Sequence, residues 1–218
     1  METTKKKDFI ELKFTGYANG EVFDSNIEED LKQLNPEAKP SESIIVIGEG
    51  MVVPGFDKAL EEKEFGKEYE ISIKPKDGFG ERDKNLVKTI PLKIFTEKKI
   101  IPRAGMPLLM DNMTARVITV SGARVITDFN NPLAGKELRY KFKIIKKVSD
   151  EKEKCSTILQ FFFRFLPEFE IKDNVIVKGS KELNLFVDVF KERFKELIGK
   201  ELKFEEVKKE AYSENKKS

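Results

Sequence analysis

Short runs in which apolar and polar residues alternate limit the possible fold of this chain more than any other feature. Ile10, Leu12 and Phe14 alternate with polar residues in FIELKFTGY, and a period of two is typical of a strand with one buried face. The dipeptide Asn19-Gly20 follows and favours a hairpin turn. Similar runs occur in ESIIVIGEG, EYEISIKP and ELRYKFKIIKKV. We therefore predict an α+β fold in which an antiparallel sheet packs on one short helix, from Phe56 to about Lys63.

The segment 84–130 has a different character and its own strand signals. It contains ARVIT twice, beginning at Ala115 and at Ala123, with the turn residues Ser121 and Gly122 between the copies. A repeat this short indicates two paired strands of a hairpin and not a duplicated module. Because a connection of this length without structure of its own is uncommon, we predict an inserted β-rich subdomain.

Residues 150–218 are predicted to form a separate α+β domain, preceded by a charged linker, SDEKEKCS. The segment STILQFFFRFLPEF predicts a helix that ends near Pro167, and FEIKDNVIVKG predicts a strand. A second helix is predicted from about Ser180, with Gly199 as its stop and an apolar face made of Phe186, Phe190, Phe194, Leu197 and Ile198. KELKFEEVKKEAY would be a strand or a helix, and YSENKKS a frayed tail. Nine of the 18 Phe residues lie here, so this domain either packs on the rest of its own chain or pairs with a second copy. Because the charged linker indicates a loosely attached domain, we expect it to form a homodimer.

The composition excludes several classes of function. The chain has 41 basic and 39 acidic residues, which argues against a nucleic-acid-binding protein. It has no His and one Cys, which argues against a zinc site, a Ser/His or Cys/His nucleophile and an internal disulfide. We expect no metal and no cofactor. No signal peptide or membrane-spanning run is evident, so we expect a cytoplasmic protein that does not bind a membrane.

One stretch, GEGMVVPGFDKAL, places apolar residues beside the start of a helix. Pro54 and Asp57 are typical of a first helical turn, yet Met51, Val52 and Val53 precede them where a polar cap is usual. Exposed amide groups and apolar side chains thus meet at one place, which suits a ligand that needs both.

Four motifs in order resemble the FKBP-type peptidyl-prolyl isomerases: FTGYANGEVFDSN, GEGMVVPGFDKAL, KDGFGERD and NNPLAGKELRYKFKI. The resemblance covers about residues 5–148. It implies an FKBP-like antiparallel sheet wrapped on a short helix, formed by residues 1–83 and 131–149. The insert resembles the insert-in-flap domain of the SlyD-like branch, and the C-terminal domain resembles that of long-chain archaeal members.

The resemblance implies an apolar pocket for a substrate proline, with Phe56 beneath the ring. The Val53 N–H would donate to a substrate carbonyl, and Asp24 would face the carbonyl region. The implied pocket residues are Phe14, Phe23, Asp24, Val52, Val53, Phe56, Phe79, Leu133 and Tyr140. This sequence departs from the family where Phe14 and Phe79 replace a common Tyr, where Phe56 replaces a frequent Trp, and where Asn131 replaces a common His. The His-rich metal-binding tail of SlyD proteins is missing.

The same residues also have simpler interpretations. Aromatic residues on strands are more often packing residues than site residues, and Asp24 alone would suit a turn. The insert residues Ile101, Met106, Leu108, Leu109, Met110 and Met113 are candidate client-binding residues, although about half are expected to form the insert's own core. We expect a peptidyl-prolyl isomerase with chaperone activity that acts on unfolded or nascent polypeptides containing X–Pro bonds. The alternative is a holdase chaperone or assembly protein with a weak or degenerate pocket.

Overall fold

The structure, a computed structural model, describes residues 2–110 and 112–207. It contains three sheets, and each is associated with its own cluster of buried apolar side chains. None of the helices in these residues is long and apolar enough to cross a membrane. The predicted tail YSENKKS lies outside the described residues.

The first sheet is antiparallel, as predicted. Its central strand β1 (Phe9–Ala18) pairs along one edge with β2 (Glu21–Ser25) and β3 (Ser43–Val46). Along its other edge it pairs with β9 (Leu138–Lys147), which in turn pairs with β4 (Glu68–Ile73). The first and last motifs of the sequence therefore pair in one sheet although the insert separates them along the chain, whereas the second motif forms a loop and a short helix.

Two short helices accompany this sheet. Helix α2 (Pro54–Ala59) begins two residues earlier than predicted, because Pro54 can occupy its first turn, and it ends four residues earlier. The chain cannot continue as a helix past Glu62, whose φ of 59° is left-handed. The other helix, α1 (Glu28–Leu34), was not predicted. It has no buried residue, so the sequence lacks the apolar stripe that marks a packed helix.

The insert forms a four-stranded antiparallel sheet in the order β5-β8-β7-β6. Its elements are β5 (Val87–Pro91), α3 (Leu92–Glu97), β6 (Pro107–Met110), β7 (Met113–Ser121) and β8 (Arg124–Asp128). The two ARVIT copies lie in β7 and β8 and pair as a hairpin, as predicted. The insert's core consists of Phe95, Leu108, Ala115, Val117 and Val125.

The C-terminal residues form two helices and a three-stranded sheet in the order β10-β11-β12. The elements are α4 (Glu151–Phe163), β10 (Glu168–Ile171), β11 (Val175–Gly179), α5 (Leu183–Ile198) and β12 (Leu202–Glu206). Strand β12 runs parallel to β11, and α5 connects them. In the segment after Gly199, left open between strand and helix, Leu202–Glu206 form a strand, and the residues after 207 lie outside the described part of the chain.

The predicted charged linker is wrong. Asp150 caps α4 by accepting a hydrogen bond of 2.8 Å from the Glu153 N–H, so the charges of this segment lie on the first turns of a helix. The expectation of a loosely attached C-terminal domain is also wrong. Phe9, Val46 and Val148 of the first sheet region are buried in the same cluster as side chains of α4 and α5. An alternating charge pattern suits the exposed face of a packed helix as well as it suits a linker.

Candidate active site

Phe56 forms the floor of a cavity between α2 and the first sheet. Its side chain is fully buried, and its ring stacks on Tyr140 of β9 with 4.2 Å between ring centroids. Phe14 of β1 and Phe142 of β9 approach the same ring edge-on, at 5.9 and 5.2 Å. The start of α2 at Pro54 thus places one aromatic ring against the centre of the sheet.

The cavity above Phe56 has a volume of about 350 Å³. Phe23 does not line the cavity, but its ring contacts those of Phe79 and Tyr140 edge-on, with 6.0 and 5.7 Å between centroids. Leu133 is half-buried and packs against the same apolar cluster without lining the cavity. The remaining seven of the nine residues expected at the pocket line it directly, together with Met51: Phe14, Asp24, Val52, Val53, Phe56, Phe79 and Tyr140.

Hydrogen bonds fix the loop that leads into α2. The carboxylate of Asp57 accepts from the N–H groups of Gly48 and Gly50, at 2.8 and 3.0 Å. The Met51 sulfur accepts from the Val46 N–H at 3.2 Å. No acceptor for the Val53 N–H is found in the described part of the chain, so this donor is available to a ligand at the cavity. Asp57 and Met51 thus position the cavity wall.

Gly16 allows two rings of the site to approach the backbone of β1. A Cβ atom added at Gly16 would lie 2.8 Å from Cζ of Phe23 and 2.9 Å from Cε1 of Tyr140, closer than real contacts permit. The sequence analysis missed Gly16 because its role depends on a partner strand far along the chain. It also did not predict that Met51 lines the cavity or that Asp57 holds the loop beside it, although both lie in the GEGMVVPGFDKAL stretch.

The cavity is apolar apart from two titratable groups. Burial among the surrounding rings raises the pKa of the Asp24 carboxyl, and a hydrogen bond from the Ser25 backbone partly opposes this effect. Burial, and then the nearby charge of Asp24, raises the pKa of the Tyr140 hydroxyl. Tyr140 therefore stays protonated at neutral pH. Among the described residues, no group of three or more His, Cys, Asp or Glu side chains is arranged to hold a metal ion.

The insert residues expected to bind clients divide into two groups. Leu108 is a core residue with 7% of its surface exposed, and Met106 and Met110 pack partly buried against the same core. The sequence analysis expected such a division. The other three are exposed: Ile101 at 76%, Leu109 at 74% and Met113 at 46%. Three further exposed apolar residues of the insert, Ile94, Ile118 and Val120, were not predicted.

The two chain segments that enter and leave the insert are joined side by side. Arg82 forms an ion pair with Asp128 at 2.7 Å. The Asp83 N–H donates to the side-chain oxygen of Asn130 at 2.8 Å, and the Asn130 amide donates back to the Asp83 carbonyl at 2.9 Å. These contacts between residues 82–83 and 128–130 form a closed neck that connects the insert to the rest of the chain.

Comparisons with known proteins point to one family. A profile of the FKBP-type peptidyl-prolyl cis-trans isomerases matches residues 1–96, and a profile of the FKBP26 IF domain matches residues 88–133. A short-type peptidyl-prolyl cis-trans isomerase of Methanocaldococcus jannaschii is 34% identical over 143 residues, covering 64% of this chain and 91% of that protein. The isomerase SlyD of Helicobacter pylori is 28% identical over 158 residues, covering 69% and 78%. The SlyD of Treponema pallidum is 30% identical over 137 residues, covering 58% and 77%.

Proposed function

Because the chain belongs to the FKBP-type peptidyl-prolyl cis-trans isomerase family, we propose that the cavity above Phe56 holds the prolyl ring of a polypeptide while its X–Pro bond rotates. The chain is an isomerase that assists protein folding. The observation that carries the assignment of the site is the stack of Phe56 on Tyr140 beneath an apolar cavity of about 350 Å³. This volume lies within the usual range for small-ligand sites, about 300–1,000 Å³.

The apolar lining accounts for catalysis without a proton acceptor. Rotation about an X–Pro bond breaks amide resonance, and the barrier is roughly 18–20 kcal/mol. The planar amide is more polar than the twisted one. A pocket that excludes water and offers aromatic walls therefore favours the twisted state over the planar one. The neutral Tyr140 and the absence of His from the chain are consistent with a reaction that needs no proton transfer.

Two polar groups orient the substrate in this proposal. The Val53 N–H at the start of α2 donates to a carbonyl of the bound peptide, and this fixes the peptide against the loop. The Asp24 carboxylate, at the rim beside Phe14 and Tyr140, interacts with the carbonyl region that rotates. Both groups flank the floor formed by Phe56, which suits a short segment centred on proline.

A protease-free isomerisation assay on a proline tetrapeptide tests this site. We expect Asp24→Ala to lower kcat/KM while the circular-dichroism melting curve stays that of a folded protein. Asp188→Ala is the matched control, because Asp188 is an exposed acid whose ion pair is with Lys191 of its own helix. Unchanged turnover in Asp24→Ala would contradict its role. Suppression of aggregation without any tetrapeptide turnover would favour the holdase alternative.

We further propose that the chain is organised as an isomerase domain (residues 1–83 and 131–149), a client-binding insert (84–130) and a C-terminal domain (150–218). The exposed insert residues Ile101, Leu109 and Met113 support client binding, since flexible apolar surfaces suit varied partners. Capture of an unfolded chain on the insert would raise the effective concentration of its prolines at the cavity.

Two variants test the role of the insert. Ile101→Ser/Leu109→Ser should slow the catalysed refolding of a proline-limited protein and spare tetrapeptide turnover, whereas Leu34→Ser, at an exposed leucine of α1, should affect neither. Replacement of residues 84–129 by a short loop is feasible because the neck brings the ends together. Equal losses on both substrates would show that the insert only supports the fold.

We also propose that the C-terminal domain pairs with a second copy of the chain. Its helix α5 and the turn after α4 expose five large apolar side chains: Phe165, Leu166, Leu185, Phe186 and Val189. Phe194 of the predicted stripe is buried in the domain's own cluster, so the pairing surface is the outer part of this face. Sedimentation velocity should show a dimer for the parent chain and a monomer for Leu185→Ser/Val189→Ser. If the parent chain is already a monomer at micromolar concentration, the pairing proposal is wrong.

A further inference from the structure

A second cavity, a groove of about 750 Å³, lies between strand β3 and helix α4. Met51 lines both this groove and the cavity above Phe56, so the two spaces are neighbours. The β3 side of the groove consists of Glu42, Ser43, Ile44 and Ile45, and the α4 side of Asp150, Lys152, Glu153, Ser156, Thr157, Gln160 and Phe161. A polypeptide held by its proline above Phe56 must continue beyond the cavity, and Met51 is the residue that lines both the cavity and the groove.

Strand β3 presents a free edge. It pairs with β1 alone among the described strands. The Val46 N–H points away from β1, to the Met51 sulfur, and backbone groups in an antiparallel strand alternate in direction. The N–H and C=O of Ile44, two residues earlier, therefore also point away from β1. Such an edge is a template for an added extended strand.

The groove carries more acidic than basic groups. Glu42, Asp150 and Glu153 line it together with Lys152 alone among the cations. Lys146 does not line the groove, but its ammonium group is close enough to interact with the carboxylates of Glu42 and Glu153. Its ion pair, at 3.2 Å, is with Glu11. An excess of negative charge remains along the lining, and it disfavours an acidic segment.

We propose that this groove is an extended substrate subsite. It binds the segment next to the prolyl residue as an added strand on β3, and it prefers Lys or Arg over Asp or Glu in that segment. The subsite rests on the proposed function of the cavity, because its occupant is the continuation of the same substrate. The apolar residues of the lining, Ile44, Ile45, Met51 and Phe161, accept one side chain between the polar contacts.

The test compares three substrates with one central tetrapeptide: the tetrapeptide itself and decapeptides whose flanks carry Lys or Glu. With the full chain at low salt we expect the Lys decapeptide to have a KM about tenfold below that of the Glu decapeptide, a difference that high salt reduces. Glu42→Lys/Glu153→Lys should abolish or invert this preference and leave tetrapeptide turnover unchanged. Glu137→Lys, at an exposed acid outside the groove, is the control for charge reversal.

Thr157→Trp tests the groove by bulk, because Thr157 faces it from α4. It should remove the advantage of the Lys decapeptide over the tetrapeptide, whereas Lys181→Trp should not. Equal KM values for all three peptides in the parent protein, or an unchanged preference in Thr157→Trp, would overturn the subsite. A change of sedimentation coefficient in Thr157→Trp would show that a second copy occupies the groove and would also overturn it. If the parent protein does not turn over the tetrapeptide at all, the proposed function of the cavity is contradicted instead.

Discussion

Arg193 on helix α5 donates hydrogen bonds from two of its guanidinium nitrogens to the carboxylate of Glu49, in the loop that forms the cavity wall. The Nε–Oε2 distance is 2.8 Å, and the Glu49 side chain is only 7% exposed. Glu196, one turn further along α5, accepts from Arg193 and also pairs with Lys7. The C-terminal domain therefore holds the loop that carries Met51, Val52 and Val53.

We expect Arg193→Met to lower tetrapeptide kcat/KM by about fivefold, on the order of 1 kcal/mol in the barrier, because the loop loses this anchor. The unpaired Glu49 should also lower the free energy of unfolding by about 1–3 kcal/mol. Stopped-flow isomerisation and urea titration measure the two effects. Arg193→Lys should recover part of each, since a lysine cannot reproduce the two-pronged contact.

The control for this anchor is Lys191→Met. Lys191 lies on the same helix and pairs with Asp188 at an exposed position, and such pairs contribute about 0–1 kcal/mol. It should leave isomerisation unchanged. Equal activity losses in both variants would mean that general disturbance of α5, and not the contact with Glu49, affects the cavity.

Asp24→Asn should increase stability at neutral pH while it reduces isomerisation. The folded-state pKa of Asp24 is raised above its unfolded value, so ionisation costs folding free energy. This cost is zero below the unfolded pKa of about 3.9 and is complete once the pH has risen above the folded pKa. The gain in Asp24→Asn should therefore appear in urea titrations at pH 7 and vanish in strong acid.

Glu28→Gln should change the stability at pH 7 in the opposite direction. The hydrogen bond and charge of Lys32 lower the pKa of Glu28, so its contribution to stability is present above the unfolded pKa and is lost as the pH falls through the folded pKa. Glu28→Gln should therefore be slightly less stable than the parent at pH 7. A loss of stability at pH 7 in Asp24→Asn as well would contradict the burial effect.

Gly16→Ala should change the shape of the cavity by displacing aromatic rings that pack against β1. The new methyl group would displace the rings of Phe23 and Tyr140, and overpacking of this kind costs roughly 1–3 kcal/mol. We expect a fall in kcat/KM together with a lower melting temperature. Gly122→Ala has open space around its Cβ and a φ of 55°, so it should cost about 1 kcal/mol in stability and leave turnover intact. A fully active Gly16→Ala would show that the two rings can shift without consequence.

Thr127→Val should stabilise the insert. Among the residues that the structure describes, the Thr127 hydroxyl is the one buried side-chain polar atom without a hydrogen-bond partner. Its replacement by an isosteric methyl removes a desolvation cost of about 1–3 kcal/mol. Thr4 is the matched control, because its buried hydroxyl donates to the Leu60 carbonyl at 2.5 Å and accepts from the Lys63 N–H at 2.9 Å. Calorimetry should show Thr127→Val gaining and Thr4→Val losing stability.

The first sheet could be predicted because its alternation is strong and its motifs are ordered. Pro54 indicated a first helical turn, although the predicted start of α2 at Phe56 was two residues late. The ARVIT copies indicated their hairpin. Helix α1 left no signal, since a helix that buries nothing has no apolar period. The docking of α4 could not be read from SDEKEK, because a solvent-facing helical turn and a linker share the same composition.

The candidate site was predicted to a similar extent. The ordered motifs predicted seven of the eight residues that line the cavity and missed Met51. Gly16 and the Arg193–Glu49 contact join parts of the chain that only the folded structure brings together. Burial divided the insert's apolar residues in a way that their side-chain type could not. Leu108 and Leu109 are adjacent leucines, yet one is in the core and the other is 74% exposed, because neighbouring residues of a strand face opposite sides.

The pairing of β1 with β9 also sets an order on biosynthesis. Ile10 of β1 pairs with Lys147 of β9. The central strand of the first sheet therefore cannot complete its pairing with β9 until nearly 150 residues have left the ribosome. The insert's strands pair only with one another and end at Asp128. The insert is therefore the first of the three sheets that a nascent chain can complete, and the last needs β12, near the C-terminus. During its own synthesis the protein can therefore assemble the insert, with its exposed apolar residues, before the cavity above Phe56.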